Sequence, residues 1–485
     1  MSDYIINFFE YRVFFYASLI MIGTIVLTTT SYMAIRRYKK RFTRKEDKML
    51  MNSPFAPGIS IVAPAYNEET TIVTNVKSML SLNYPLFEVV IVNDGSKDST
   101  LDLLIKNFDL VETPFAYVEK IRTKPVRRIF KSTNPEYDKL TVVDKENGGT
   151  KADASNAGIN ASVFPYFLCT DVDCILAKDS LLKMIQPVLD SRVRVIAVGA
   201  TLRMSNSCEF NENGDITRVR PPKKVVPCFQ EIEYLRSYLV SKMGWAFINA
   251  APNVSGGLGL FDKSVVIDAG GYDPISHAED MDMLIRMVAY MRDFNKSYKV
   301  VQIPVTCCWT EGPPNLSVLN RQRTRWARGL LQMFIVHRKF LFNPKYGRVG
   351  LVMMPYIFLF EFLAPIIEGV GIISMVALLI TGRINFDTAF VLLGFAYLLG
   401  VTVSTLAVMF DLSVKKHYKR FREYLKLIIF SFFEILLYHP FIVFFSWKGY
   451  VDFLSKQNFE WGAMKRQGFE QKKDNNETVF QKVIN

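Results

Sequence analysis

Cysteine and histidine are scarce in this chain of 485 residues, with six of the first and four of the second. Cys169, Cys174, Cys208, Cys228, Cys307 and Cys308 all fall in the polar middle, and none stands in a CxxC or Cys/His metal spacing. That pattern speaks against a zinc-ribbon or disulfide-stapled scaffold and reads as reduced, mostly buried thiols. No cationic stretch leads into the first apolar segment, where Asp3 and Glu10 stand instead. The expectation is a retained anchor with its N-terminus outside rather than a cleaved leader. No internal repeat is found, and no nucleic-acid-binding motif accompanies the positive charge.

What is present is a mixture of long apolar runs and a polar middle. Half of the residues are hydrophobic, which suits a soluble lobe joined to a few membrane spans. The formal net charge of +13 points to nucleic acid or to a membrane surface, and its placement decides. Arg36, Arg37, Lys39, Lys40, Arg41, Arg44, Lys45 and Lys48 follow the first apolar run. Lys415, Lys416, Lys419, Arg420, Arg422 and Lys426 lie between two later ones. This is the positive-inside pattern of a multi-pass protein. A lipid bilayer is therefore an expected partner and nucleic acid is not.

Apolar segments at 13–35, 353–380, 388–410 and 427–447 give about four expected spans. The second carries Pro355 and Pro365 and is either a kinked span or an interfacial helix leading into one. The expected division is an anchor and basic linker over 1–50 and a cytosolic domain with interfacial helices over 51–345. Membrane helices over 346–455 and a polar, partly disordered tail over 456–485 complete it. Alternation from an outside N-terminus puts that tail outside, whereas Lys465, Arg466, Lys472 and Lys473 suit the inside. The two criteria conflict.

Between the spans, short β-rich runs at 59–63, 89–92, 140–143, 166–170, 195–198 and 300–305 alternate with helical patterns at 69–82, 151–162 and 180–189. Alternation of this kind predicts an α/β domain with a mostly parallel sheet. Ligands of such sheets bind at the carboxyl ends of the strands.

The polar motifs sit at those ends. Pro64-Ala65-Tyr66-Asn67-Glu68 follows the first run and Asn93-Asp94-Gly95-Ser96-Lys97 the second. There an aromatic ring can stack on a base and a carboxylate can accept its N–H, although ordinary Asn/Asp turns look the same. Asp171 and Asp173 follow the fourth run with one residue between them, a spacing that can share Mg²⁺ or Mn²⁺ with a diphosphate. Glu279 and Asp280 open a helical pattern after Gly270-Gly271-Tyr272, either as dipole compensation or as a general base. Gln322, Arg325 and Trp326 form Q-x-x-R-W on a basic helix over 317–340, three and four residues apart on one face. Arginine can hold a diphosphate and indole can stack on a sugar. The alternative is an amphipathic helix on the membrane surface.

In this order, and flanked by apolar segments, Asp94, Asp171/Asp173, Glu279/Asp280 and Gln322-x-x-Arg325-Trp326 resemble the processive family 2 glycosyltransferases. That family includes cellulose, chitin and hyaluronan synthases and bacterial poly-N-acetylglucosamine synthases. The likeness covers roughly residues 55–450. Residues 145–158 and Trp309-Thr310-Glu311 are similar to the N-acetylglucosaminyltransferase branch. Ala278 departs from the usual Thr or Gly before the acidic pair, and a stretch over 111–137 is an insertion to which the sequence assigns no role.

The resemblance implies a GT-A-type nucleotide-sugar domain fused to membrane helices in the cell membrane, with a UDP-sugar donor and a growing polysaccharide acceptor. Accessory export proteins are further expected partners. It implies that Tyr66 stacks on uracil beside Glu68, that Asp94 and Lys151 bind the uridine, and that Asp171 contacts the donor while Asp173 ligates Mg²⁺ or Mn²⁺. Asp280 would be the base supported by Glu279, Gln322 and Arg325 would hold the diphosphate, and Trp326 would bound the acceptor site. Ser255, Gly256 and Gly257 match the acceptor-side turn. UDP-N-acetylglucosamine is the first-choice donor. A transferase acting once on a lipid-linked acceptor, a hyaluronan- or cellulose-like synthase, and a non-catalytic polysaccharide-binding or transport subunit are the alternatives. Glu361, Glu368, Glu434 and His439, inside or near apolar segments, either line a wet path or pair with one another.

Overall fold

The computed structural model describes residues 2–41, 49–114, 117–211 and 214–455. The expected tail and its four cations lie outside the described residues. The strands are β1 (Ile59–Ala65), β2 (Phe87–Asp94), β3 (Leu110–Glu112), β4 (Val126–Ser132), β5 (Leu140–Lys145) and β6 (Tyr166–Thr170). They continue with β7 (Ile175–Leu176), β8 (Val195–Met204), β9 (Glu209–Phe210), β10 (Ile216–Arg218), β11 (Leu258–Asp262) and β12 (Lys299–Thr310). Ten of them form one sheet in the order β3-β4-β5-β2-β1-β6-β11-β8-β12-β7. All run the same way except β4, β11 and β7, so the expected mostly parallel α/β sheet is present.

The central strands are apolar on both faces because both faces are covered. Ile59, Ile61 and Ala63 of β1 pack with Ile72, Val76 and Met79 of the Ile72–Leu80 helix. Val62 points the other way, toward the Lys151–Ala161 helix. That helix lies so close that a Cβ on Gly158 would sit 2.4 Å from Cγ1 of Val62. Both helices thereby leave the carboxyl ends of β1, β2 and β6 open on one edge.

The insertion over 111–137 extends this sheet. β4 pairs antiparallel with β5, and β3 with β4. Asn160 holds the connecting segment by accepting from the Ile121 amide at 3.0 Å and donating to its carbonyl at 2.7 Å. β8 and β12 run well past the short apolar runs read from the sequence, because they pair with each other along most of their length.

Among the described residues, four helices are long and apolar enough to cross a membrane: Phe14–Arg41, Val349–Ile380, Phe386–Val414 and Phe421–Leu454. The second is interrupted by π turns at Val349–Met353 and Phe358–Phe362 before continuing as Ala364–Ile380. π turns are a recognised cause of bends in such helices. The fourth is broken by another π turn, Glu434–Tyr438.

An unforeseen element joins the sheet to these helices: Val225–Arg236, a π turn Ser237–Lys242, and Met243–Phe247. Arg203 of β8 is fully buried and donates to Asp411 at 2.6 Å and to the Tyr418 hydroxyl at 2.6 Å, with Glu231 at 2.7 Å. Arg236 donates to Glu434 at 2.8 Å, and Ser404 shares that carboxylate. Glu368 pairs with His439 at 2.8 Å. Among the charged groups near the apolar segments, Glu368, Glu434 and His439 therefore take the pairing role.

Breaking a fully buried ion network by removing one partner costs about 3–5 kcal/mol. Arg203→Ala should accordingly lower the unfolding midpoint of the detergent-solubilised protein sharply. Arg218→Ala, whose contact with Glu423 is 3.5 Å and partly exposed, should stay within about 1 kcal/mol of the parent. Equal midpoints for the two variants would refute the ranking.

Candidate active site

The loops after β1 and β2 are laced together. The Asn67 amide donates to Ser96 Oγ at 3.1 Å, the Lys97 amide to Asn67 Oδ1 at 2.8 Å, and the Glu68 amide to Thr100 at 2.8 Å. Asn67 holds a left-handed conformation, φ 55°, which asparagine tolerates better than most residues. The result leaves the Tyr66 ring 42% exposed on the open edge, while the Glu68 carboxylate accepts from Thr71 at 3.3 Å.

Asp94, at the end of β2, is nearly buried and accepts from Lys145 Nζ at 2.7 Å and from the Gly148 amide at 3.0 Å. Lys145 has no exposed surface and also contacts Asp153 at 2.6 Å. It therefore bolts the β2 terminus to the first turn of the Lys151–Ala161 helix. Gly95 lies at φ 62°, and a Cβ there would meet the Asn147 amide nitrogen at 2.9 Å, so only glycine allows this approach. Lys145 and Asp153 carry no sequence signal of their own; they lie inside the stretch at 145–158 already noted.

Lys151 sits one turn away. Its ammonium pairs with Asp171 and donates to the Gly256 carbonyl at 2.6 Å. Burial works against its charge, but Asp171, Cys169 and Glu279 raise its pKa overall. The donor atoms of Asp171, Asp173 and Cys174 lie within 4.8 Å of one another. Hydrogen bonding to Cys308 and burial push the Cys174 thiol well up, and the two carboxylates are the hard oxygen donors of the group. Few hard oxygen donors, with the remaining positions left to phosphate and water, fit Mg²⁺ or Mn²⁺. All six cysteines are free and buried, as expected.

The Ser255-Gly256-Gly257 turn lies between the two acidic groups. A Cβ on Gly257 would come 3.6 Å from Asp171 Oδ2, and one on Gly256 would come 3.5 Å from Glu279 Oε1 and 3.8 Å from Asp280 Cβ. The Glu279–Asp293 helix is held in place by Arg286, which bridges Asp282 at 2.6 Å to the carbonyls of Ala269 and Gly271. Gly271, at φ 70°, lets Asn156 bond both backbone atoms of Tyr272 at 2.8 Å. At the tip, Asp280 Oδ1 accepts from the Met281 amide at 2.9 Å and Oδ2 from Asn253 at 3.0 Å. Capping and orientation toward the turn therefore coexist. Burial raises the Glu279 pKa, Arg325 opposes the rise, and Asp280 adds to it.

Arg325 reaches Glu279 at 4.0 Å. It does so because Gly329, one turn on along the Leu316–Val336 helix, packs on Ala278, where a Cβ would stand 2.7 Å from that of Ala278. Gln322 accepts from Gln230 at 2.9 Å. Trp326 is 37% exposed, with the Arg323 guanidinium 4.4 Å from its ring. Arg323 itself is buried and bidentate on Glu233, at 2.6 and 2.5 Å. On the far side of Asp280, Lys242 is pushed down to about 8 by burial, with Asp280 and Glu361 pulling the other way. Asn253, Gln230, Arg323 and Lys242 were not singled out from the sequence.

Asp171, Asp173, Ser255, Gly256, Gly257, Glu279, Asp280 and Arg325 thus meet around one turn. Tyr66, Glu68 and Asp94 lie on the neighbouring strand ends, joined to it through the Lys151 helix.

Residues 60–224 match the family model described as glycosyl transferase family 2, and residues 225–405 match that of glycosyl transferase family group 2. The chain is 28% identical over 307 residues to the poly-beta-1,6-N-acetyl-D-glucosamine synthase of Staphylococcus aureus (strain COL), covering 63% of this chain and 60% of that relative. The enzyme of the same name from Staphylococcus epidermidis is 27% identical over 315 residues, covering 64% and 62%. The match therefore spans about three-fifths of the relatives' length. Among solved structures, the mannosyltransferase PcManGT from Pyrobaculum calidifontis in complex with GDP-Man and Mn²⁺ aligns with a TM-score of 0.47 at 16% identity. That alignment covers 90% of this chain and 99% of that one. Two consecutive family matches running from 60 to 405 make this chain a member of glycosyltransferase family 2.

Proposed function

We propose that this protein is a membrane-embedded, inverting glycosyltransferase that polymerises a β-linked polysaccharide from a UDP-sugar, with UDP-N-acetylglucosamine as donor. The observation that carries the proposal is the meeting of the Asp171/Asp173 pair, the Glu279/Asp280 pair and Arg325 around the Ser255–Gly257 turn. The likeness of residues 145–158 to the N-acetylglucosaminyltransferase branch and the names of the staphylococcal relatives support the donor. The Q-x-x-R-W helix supports chain growth beside the bilayer. Gly449 of the last span packs so tightly on it that a Cβ would meet the Thr324 carbonyl oxygen at 2.6 Å.

In this reading Tyr66 stacks on uracil at the open edge, and Glu68 and Asp94 accept from the nucleoside. Asp171 and Asp173 hold Mg²⁺ or Mn²⁺, which when bound supplies positive charge to the diphosphate. Lys151 releases Asp171 to that task and stays as a second cation beside it. Gln322 and Arg325 clamp the diphosphate and offset charge on the departing UDP. The Ser255–Gly257 turn and Trp326 bound the acceptor sugar, whose hydroxyl loses its proton to Asp280, oriented by Asn253 and supported by Glu279. Attack from the side opposite the leaving UDP inverts the anomeric carbon, so an α-linked donor gives a β-linkage.

The decisive experiment is UDP release by purified protein against a panel of UDP-sugars, followed by digestion of the product with linkage-specific hydrolases. Polymer from UDP-N-acetylglucosamine supports the proposal; release without polymer, ending after one transfer to a lipid-linked acceptor, would replace it. Asp280→Asn should lower UDP release by about 10²–10⁴-fold, the usual contribution of general-base catalysis. UDP binding by calorimetry should be unchanged, and normal turnover would remove Asp280 as the base. Arg325→Ala should slow turnover and move the acidic limb of the pH–rate profile upward. Arg325 holds the Glu279 pKa down, so its loss lets that carboxyl take a proton at higher pH. A limb that moves downward or stays put would contradict the pairing.

A further inference from the structure

At the opposite end of the sheet from the site, a cavity of about 460 Å³ opens between the first span and the amino end of β12. Its rim carries Arg37 and Arg41 from the last turns of the Phe14–Arg41 span, Lys299 from the start of β12, and Arg192 from the turn before β8. Asp190 is the one acid lining it. Among the described residues no carboxylate lies within ion-pair distance of any of the four cations. Arg37, Arg41 and Lys299 share the lining of this one cavity, and the Lys299 pKa is lowered by burial and then by Arg41 and Arg37. The floor is apolar: Met243, Phe247 and Ile303 line it, with Arg37 5.9 Å from the Phe247 ring centroid. Gln302, also lining it, is only 8% exposed.

Four cations with one acid among the lining residues favour an anion at the rim, and they converge where a span meets the polar domain. An apolar floor under a cationic rim matches a molecule with a phosphate at one end and a hydrocarbon start at the other. A free phosphate would use the rim and leave the floor unfilled. We propose that this cavity is a binding site for an anionic phospholipid of the surrounding leaflet, its phosphodiester held by Arg37, Arg41 and Lys299 and its glycerol end over Phe247.

The site adjoins the bilayer and is separate from the donor-side carboxylates, so binding can be read without turnover. The full chain is purified in a zwitterionic detergent and titrated with short-chain phosphatidylglycerol, with phosphatidylcholine of the same chain length, and with glycerol 3-phosphate, following bound lipid by native mass spectrometry. Phosphatidylglycerol should be retained in preference to phosphatidylcholine, and glycerol 3-phosphate should fail to displace it at equal concentration. Lys299→Gln and Arg41→Gln should each weaken retention about fivefold, the weight of one cation near an anionic lipid. Lys40→Gln removes the same charge from the same helical turn outside the cavity and should leave retention unchanged. Thermal midpoints of all three variants establish that they are folded. Equal loss in Lys40→Gln would reduce the effect to general surface charge and overturn the site. Displacement by glycerol 3-phosphate would assign it to a soluble phosphate compound and overturn the lipid. Unchanged retention in both cavity variants would overturn it outright.

Discussion

A guanidinium with no exposed surface, Arg203, ties the catalytic sheet to the membrane. It meets Glu231 from the Val225–Arg236 helix, Asp411 from the third span and Tyr418 from the loop after that span. The Tyr418 hydroxyl in turn donates to Glu231 at 2.9 Å, and Glu231 accepts from the Met204 amide at 2.8 Å. A charge withdrawn from water is tolerable only when its partners are all in place. Strand, bridging helix and span therefore dock together or not at all, and the lateral position of the sheet under the bilayer follows.

The same bridging helix repeats the device on two further sides. Glu233 takes Arg323 from the Q-x-x-R-W helix, with Tyr438 donating to it at 2.9 Å, and Arg236 takes Glu434 from the last span. Burial would raise the Glu233 pKa, yet Arg323 and Arg236 bring it below its ordinary value. Arg323 precedes Arg325 by two residues and so points to the other side of the helix. Fixing it to Glu233 leaves Arg325 facing Glu279. The aim of the one arginine is set by the burial of the other.

Much of the architecture was legible because its signals are local. Fully apolar runs such as 89–92 announce strands covered on both faces, and Asp94 and Asp171 announce themselves by standing where such runs end. Segment length and the placement of basic residues marked the spans without any appeal to a family. What escaped depends on partners far apart in the chain. Arg203 and Asp411 are 208 residues apart, and nothing near either one distinguishes it from a surface charge. Asn253 is informative only once Asp280 lies 3.0 Å away, and Lys145 only once a fold places it between Asp94 and Asp153. The insertion over 111–137 was opaque for another reason. β4, Val126–Ser132, carries three cations among four apolar or small residues with no regular alternation, and only Ile129 and Phe130 are buried, so the strand shows itself once it is paired between β3 and β5.

The bridging helix also has neighbouring residues that look to different ends of the sheet. Lys242, the last residue of its π turn, faces Asp280 and Glu361. Met243, next in sequence, lines the cationic cavity on the other side. The cavity rim is open to water, which screens the field of its cations.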